Sequence, residues 1–163
     1  MNRQKIYLET TLFNYYFDED RDAHSDVVTL FEECAKGKFE PYTSTYTVEE
    51  LEETRGEKRD KMLALISQYN ITVLTASEEI VDLARKYIVE GVIPKGSQTD
   101  AQHIATAAVN NLDKIISLNF RHIVKERTIM LTGAINTLLG YKTVAIKTPM
   151  EVIDYEKSRY NIG

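Results

Sequence analysis

The sequence predicts an α/β domain: a three-layer α/β/α sandwich around a five-stranded, mostly parallel sheet. Three observations lead there. Short apolar runs alternate with stretches of helical periodicity from one end of the chain to the other. No internal repeat, low-complexity tract or Pro/Gly-rich linker interrupts that alternation. The 163 residues suit one domain over residues 1–163, long enough to bury a core. Strands that alternate with helices pair in parallel with helices on both faces, and right-handed crossovers then give three layers.

The elements follow in order. Ile6-Tyr7-Leu8 is the first strand. An apolar-aromatic turn (Leu12, Phe13, Tyr15, Tyr16, Phe17) leads to a helix starting near Ser25, with Val27, Val28, Phe31, Cys34 and Ala35 on one face and Gly37 as its stop. Residues 39–43 read as the second strand, which Pro41 suggests is short or near an edge. Helices are expected at 47–55 and 57–69, the latter carrying Met62, Leu65, Ile66 and Tyr69. Residues 71–74 form a third strand, followed by a helix opening on a Thr75-x-x-Glu78 capping box with Ile80, Leu83, Ala84, Tyr87 and Ile88 in one stripe. After a loop marked by Gly91, Pro94 and Gly96, a helix begins at Thr99 with a second box, Thr99-x-x-Gln102. Residues 114–118 are the fourth strand, 127–139 a helix ended by Gly140, and 143–147 the fifth strand.

Composition narrows the function classes. Only Cys34 is present, so no intramolecular disulfide can form, and its amphipathic setting suits a small buried hydrophobe. No apolar segment approaches the roughly 20 residues that span a bilayer. The N-terminal apolar run is too brief for a signal peptide, which points to the cytoplasm. The net charge of −5 is unlike that of a protein that coats nucleic acid. A polyanion would have to meet a local basic patch or bound cations.

Ligands of open parallel sheets bind beyond the carboxyl ends of strands, where strand order reverses. Glu9 ends the first strand and is followed by Thr10 and Thr11; Asn119 follows the fourth, beside Phe120, Arg121 and His122. Asp100 lies in the first turn of the helix leading into that fourth strand, and Glu49 and Glu50 begin the helix after the second. Carboxylates gathered there need a cation, and an oxygen-only set suits Mg²⁺ or Mn²⁺ over Zn²⁺. Metal-assisted phosphodiester hydrolysis is the implied chemistry. Taken singly, Asp100 could merely complement a helix dipole, Glu50 could close a Thr47-x-x-Glu50 box, and Asn119 could be a turn residue. Glu9 is harder to dismiss, because a carboxylate ending a buried strand usually has a partner.

The segments Ile6-Tyr7-Leu8-Glu9-Thr10, Val48-Glu49-Glu50-Leu51, Thr99-Asp100-Ala101-Gln102-His103-Ile104-Ala105-Thr106-Ala107 and Ile115-Ile116-Ser117-Leu118-Asn119-Phe120-Arg121-His122 occur in that order. Together, from Ile6 to about Ile146, they resemble the PIN-domain family. The resemblance implies a five-stranded parallel sheet whose first and fourth strands are neighbours. It implies a Mg²⁺- or Mn²⁺-dependent endoribonuclease acting on single-stranded RNA, of the kind that serves as the toxin of a toxin–antitoxin pair. An antitoxin protein and a second copy of the chain are the implied protein partners. By motif, Glu9, Glu50 and Asp100 would be metal ligands, with Asn119 a neutral oxygen ligand or water-positioning group. Thr10 would support the first-strand acid at the substrate side, Arg121 would contact phosphate, and Glu49 stands in reserve for Glu50. The family more commonly has Asp where this chain has Glu9 and Asn119, which should weaken or reshape a two-ion site. An alternative follows: a catalytically impaired PIN-fold module that binds RNA or a protein.

His103 and His122 lack zinc-ligand spacing and read as structural hydrogen-bonding residues. Lys95, Arg121, Lys125 and Arg127 could form a basic patch at the mouth of the site, although taken singly each is better explained as solvated surface. The ten tyrosines fall mostly at core-compatible positions. A Rossmann-like nucleotide enzyme fits poorly, since no Gly-rich loop follows the first strand.

Overall fold

A computed structural model describes residues 3–153. The elements run β1 (Gln4–Leu8), α1 (Thr10–Tyr15), α2 (His24–Ala35), β2 (Phe39–Ser44), α3 (Thr45–Glu52), α4 (Glu57–Gln68), β3 (Thr72–Leu74), α5 (Glu78–Val89), α6 (Gln98–Val109), β4 (Lys114–Ile116), α7 (Glu126–Leu138), β5 (Ala145–Lys147) and α8 (Pro149–Val152). The five strands form one sheet in the order β3-β2-β1-β4-β5, and every neighbouring pair is parallel. The chain builds outward from β1 through β2 to β3, then returns to lay β4 on the other side of β1. Strand order therefore reverses between β1 and β4, the position at which such sheets bind ligands.

Side-chain alternation assigns the two faces. Ile6, Leu8 and Ile116 enter one core with Leu12, Phe13, Phe31 and Leu51, while Tyr7, Ile115 and Ile146 enter the other with Ile80, Tyr87 and Ile104. Because both faces are covered, the central strands read as continuous apolar runs. Ile6, Leu8, Ile115 and Ile116 are fully buried, each worth about 1.5–3 kcal/mol of removed apolar surface. Cys34 is buried and its thiol is pushed up to about 12, by burial first and then by Glu33, which removes it as a nucleophile and leaves a packing residue.

Several local expectations change. The aromatic segment after β1 is helix α1, because Leu12, Phe13 and Tyr16 follow helical spacing. Phe31 of α2 receives Phe13 at 5.7 Å, Tyr16 at 5.1 Å and Tyr69 at 5.2 Å, all edge-on. Strand β2 is internal, paired with both β1 and β3. Pro41 is tolerated because β3 meets β2 only from Tyr42 onward, so the missing donor costs no bond to β3. The expected capping boxes at Thr47, Thr75 and Thr99 are not used. Helix α3 starts on Ser44, whose hydroxyl accepts from the Tyr46 N–H at 3.2 Å, and α5 on Ser77, which accepts from Ile80 at 3.2 Å. Helix α6 starts after Ser97 with no side-chain cap. A carboxylate cap does operate at Thr148, whose backbone N–H donates to Glu151 Oε1 at 3.0 Å. Strand β4 is shorter than expected, although the Ser117 N–H still bonds Lys147 O at 3.0 Å.

Candidate active site

The site is built where β1 and β4 end side by side. The Glu9 N–H donates to Ile116 O at 3.1 Å, so Glu9, just past the end of β1, is still tied to β4 before α1 begins. Its side chain is 3% exposed. Glu9 Oε1 accepts from the Thr11 hydroxyl at 2.5 Å and the Ser117 hydroxyl at 2.6 Å. Thr11 in turn accepts from the Leu118 N–H at 2.9 Å, and Ser117 from the Asn119 N–H at 2.9 Å. The exit of β4 is thus laced to the carboxylate of β1.

Glu50 reaches the same place from the last turn of α3 and not from the helix start that the sequence suggests, because the helix begins earlier, at Thr45 after the Ser44 cap. Its Oε1 accepts from the Thr10 hydroxyl at 2.6 Å and lies 2.6 Å from His103 Nε2. Glu49 is exposed, so the inward-facing acid of this pair is Glu50. From α6, His103 is fully buried, with its Nδ1 2.6 Å from the Tyr7 hydroxyl. Asp100, one turn earlier and half-buried, accepts at Oδ1 from Asn119 Nδ2 at 3.0 Å. Asn119 Oδ1 meanwhile accepts from the His122 N–H at 3.1 Å. That donor fixes the amide orientation: the oxygen faces His122 and the nitrogen faces Asp100.

Electrostatics follow from burial and crowding. Burial raises the Glu9 carboxyl above its usual range, and the charge of His103 with the Ser117 and Thr11 hydroxyls only partly offsets this. Asp100 is likewise raised, by burial against the pull of His103 and His122. Burial works against Glu50 too, but the His103 hydrogen bond and charge, with Thr10, outweigh it and hold Glu50 low. Burial opposes charge on the His103 ring, yet the Tyr7 oxygen, Glu50 and Glu9 overcome it and push the ring up to about 10. Glu9, Glu50 and His103 present ligand atoms within 4.8 Å of one another, close enough to surround one ion.

A pattern runs through the three carboxylates. Each has one oxygen occupied by protein donors: Glu9 Oε1, Glu50 Oε1 and Asp100 Oδ1. Among the described residues, the second oxygen of each accepts no protein hydrogen bond, so the set fits a hard cation held through single oxygens. Here the chain departs from the expected support of the acids. Thr10 serves Glu50 and Thr11 serves Glu9, because α1 begins at Thr10 and turns the two hydroxyls toward α3 and β4 respectively. Ser117 was not singled out from sequence; its signal was a small polar residue inside the apolar run 115–118.

Arg121 is exposed, two residues beyond Asn119. Arg127 donates to Gly91 O at 3.0 Å, and Lys95 lines a separate cleft between α5 and α6 with Val81, Ala84, Ile88 and Gln102. No helix among the described residues is long and apolar enough to cross a membrane.

The family model for the PIN domain matches residues 6–126, which contain β1 to β4 and all four acid-site positions. The chain belongs to the PIN-domain family. Solved PIN-fold structures resemble it at low sequence identity. VapC20 of Mycobacterium tuberculosis, a sarcin-ricin loop cleaving toxin, superposes with a TM-score of 0.52 at 15% identity, over 68% of this chain and 86% of that one. A chain of VapBC2 from Rickettsia felis, solved bound to a DNA fragment from its promoter, gives 0.57 at 12% identity, over 89% and 98%. At such identities the likeness shows the shared fold. No curated protein sequence matches the chain.

Proposed function

We propose that this PIN-domain protein is a Mg²⁺- or Mn²⁺-dependent ribonuclease that hydrolyses phosphodiester bonds of single-stranded RNA, acting as the toxin of a toxin–antitoxin pair. The observation that carries this reading is the approach of Glu9 and Glu50 ligand atoms to within 4.8 Å at the end of β1, with Asp100 joined to the same network through Asn119 and Ser117 and each carboxylate having one oxygen held by protein donors. These three residues would hold the ion, and the all-oxygen anionic set fits Mg²⁺ or Mn²⁺. Held by these residues, such an ion would supply Lewis acidity toward the phosphodiester and toward an attacking water.

The remaining roles belong to this chain's own groups. Thr10 and Thr11 fix the two glutamates, and Asn119 orients Asp100 through its amide nitrogen. Arg121, exposed beside the site, is the phosphate contact in this proposal. The VapC20 and VapBC2 structures support a nuclease toxin with an antitoxin partner, and a homodimer is compatible with the same reading.

A second reading has its own observation. Asn119 turns its nitrogen toward Asp100, so the site carries one charge fewer than a four-acid site. A module that binds RNA or protein without cleaving it would tolerate that loss. Incubation of the purified protein with single-stranded RNA separates the two. The nuclease reading expects cleavage that requires Mn²⁺ or Mg²⁺ and is abolished in Asp100→Asn. Metal-independent RNA binding without cleavage would favour the module.

A further inference from the structure

We infer that His103 is the positioning residue of the acidic site: it donates from Nε2 to Glu50 and supplies no ligand to the cation. The inference rests on reading the site as a metal centre. Proximity alone suggests the opposite, since His103, Glu9 and Glu50 lie within 4.8 Å of one another, a spacing that would let an imidazole join two carboxylates around an ion.

The two ring nitrogens decide it. Nε2 is 2.6 Å from Glu50 Oε1, an oxygen that also accepts the Thr10 hydroxyl at 2.6 Å. A carboxylate oxygen with those neighbours can only accept, so the proton of this contact sits on Nε2. Nδ1 is 2.6 Å from the Tyr7 hydroxyl, which is itself 2.6 Å from Ser44 Oγ. Both nitrogens are therefore engaged. The ring is also 0% exposed and stands edge-on to Tyr7, with centroids 5.6 Å apart. To offer a lone pair from Nε2, the ring would have to give up its proton and its bond to Glu50 together.

The chain Ser44–Tyr7–His103–Glu50 runs from the end of β2 through β1 and α6 to α3, so four elements set the angle of one carboxylate. Its consequence is selective. Oε1 of Glu50 is pinned, and Oε2 is left as the oxygen to face a cation. Partners of this kind, one bond removed from a metal, typically change affinity or activity 10–100-fold when removed.

Long-range ¹H–¹⁵N correlation spectra of the wild-type protein, recorded without metal and then with Mg²⁺, test this directly. A slowly exchanging proton on Nε2 is expected in both. Its absence without metal, or its loss when Mg²⁺ is added, would overturn the assignment and make the ring a ligand or a bystander. If the proton persists while no resonance responds to Mg²⁺, the donor role stands and the metal-dependent nuclease reading is what fails. Calorimetric Mn²⁺ titration gives a second measurement. His103→Gln retains an N–H donor and is expected within about threefold of wild type, whereas His103→Leu should lose about 10–100-fold. Equal losses in both variants, each shown to be folded, would overturn the proposal.

Discussion

Replacing Glu9 with Gln should make the metal-free protein more stable, the reverse of what a structural buried residue would show. The carboxylate is 3% exposed, and burying an ion costs several kcal/mol even after relaxation. Against this stand three favourable terms. The Thr11 and Ser117 hydroxyls each lose about 1 kcal/mol when their acceptor becomes neutral. The attraction of His103 is also lost, and the repulsion of Glu50, the smallest influence on this carboxyl, offsets only part of it. The carboxyl is nonetheless held above its usual range, so burial outweighs these favourable contacts together. The balance favours Gln by about 1–2 kcal/mol, a typical gain when a charged functional site is relaxed. For a chain of this length that corresponds to a rise of about 2–8 °C in Tm. Thermal unfolding in EDTA at pH 7 is the assay, repeated with Mn²⁺. The order should invert with metal, because wild type gains about 2.7 kcal/mol at a hundredfold excess over Kd and the variant gains little. A Glu9→Gln protein that melts below wild type in EDTA would refute the reasoning and make Glu9 a structural acid.

Three further outcomes are expected. Asp100→Asn should cost about 1 kcal/mol or less in urea denaturation, since an amide at a half-buried first-turn position can still accept from Asn119, while metal-stimulated RNA cleavage is lost; a large destabilisation would mark a cap instead of a ligand. Asn119→Asp replaces the 3.0 Å donor of Asp100 with a like charge, so the metal-free protein should lose about 2 kcal/mol and Mn²⁺ should restore it, read as Tm with and without the ion. Asp113 is held below the usual carboxylate range by Lys142 and by the Lys5 backbone N–H, which donates at 2.7 Å. A depressed folded value stabilises above the unfolded one, about 3.9, and the benefit disappears as pH falls through the folded value. Asp113→Asn should therefore cost about 1 kcal/mol at pH 7, after discounting for solvent screening, and almost nothing in strong acid; a pH-independent cost in urea midpoints would contradict this.

The sequence by itself determined the elements that carry their own periodicity. The runs at 6–8 and 114–118 read as strands, of which the second proved shorter (Lys114–Ile116), and the stripe Ile80, Leu83, Ala84, Tyr87 read as a helix packed on one face. It also marked Glu9, an acid at the end of a buried run, whereas Glu50, Asp100 and Asn119, each explicable singly as a cap or turn residue, were marked by the resemblance to the PIN-domain family. What it did not determine was partnership. Which hydroxyl serves which carboxylate, Thr10 with Glu50 and Thr11 with Glu9, depends on α1 starting at Thr10, and the aromatic segment hid that start. The direction of the Asn119 amide depends on the His122 N–H in the loop after β4. The engagement of His103 depends on Tyr7 and Glu50, 96 and 53 residues away along the chain. Periodicity is a local property and can be read from one segment at a time; a hydrogen bond between segments exists only once the sheet order has brought β1, α3, α6 and β4 to the same edge.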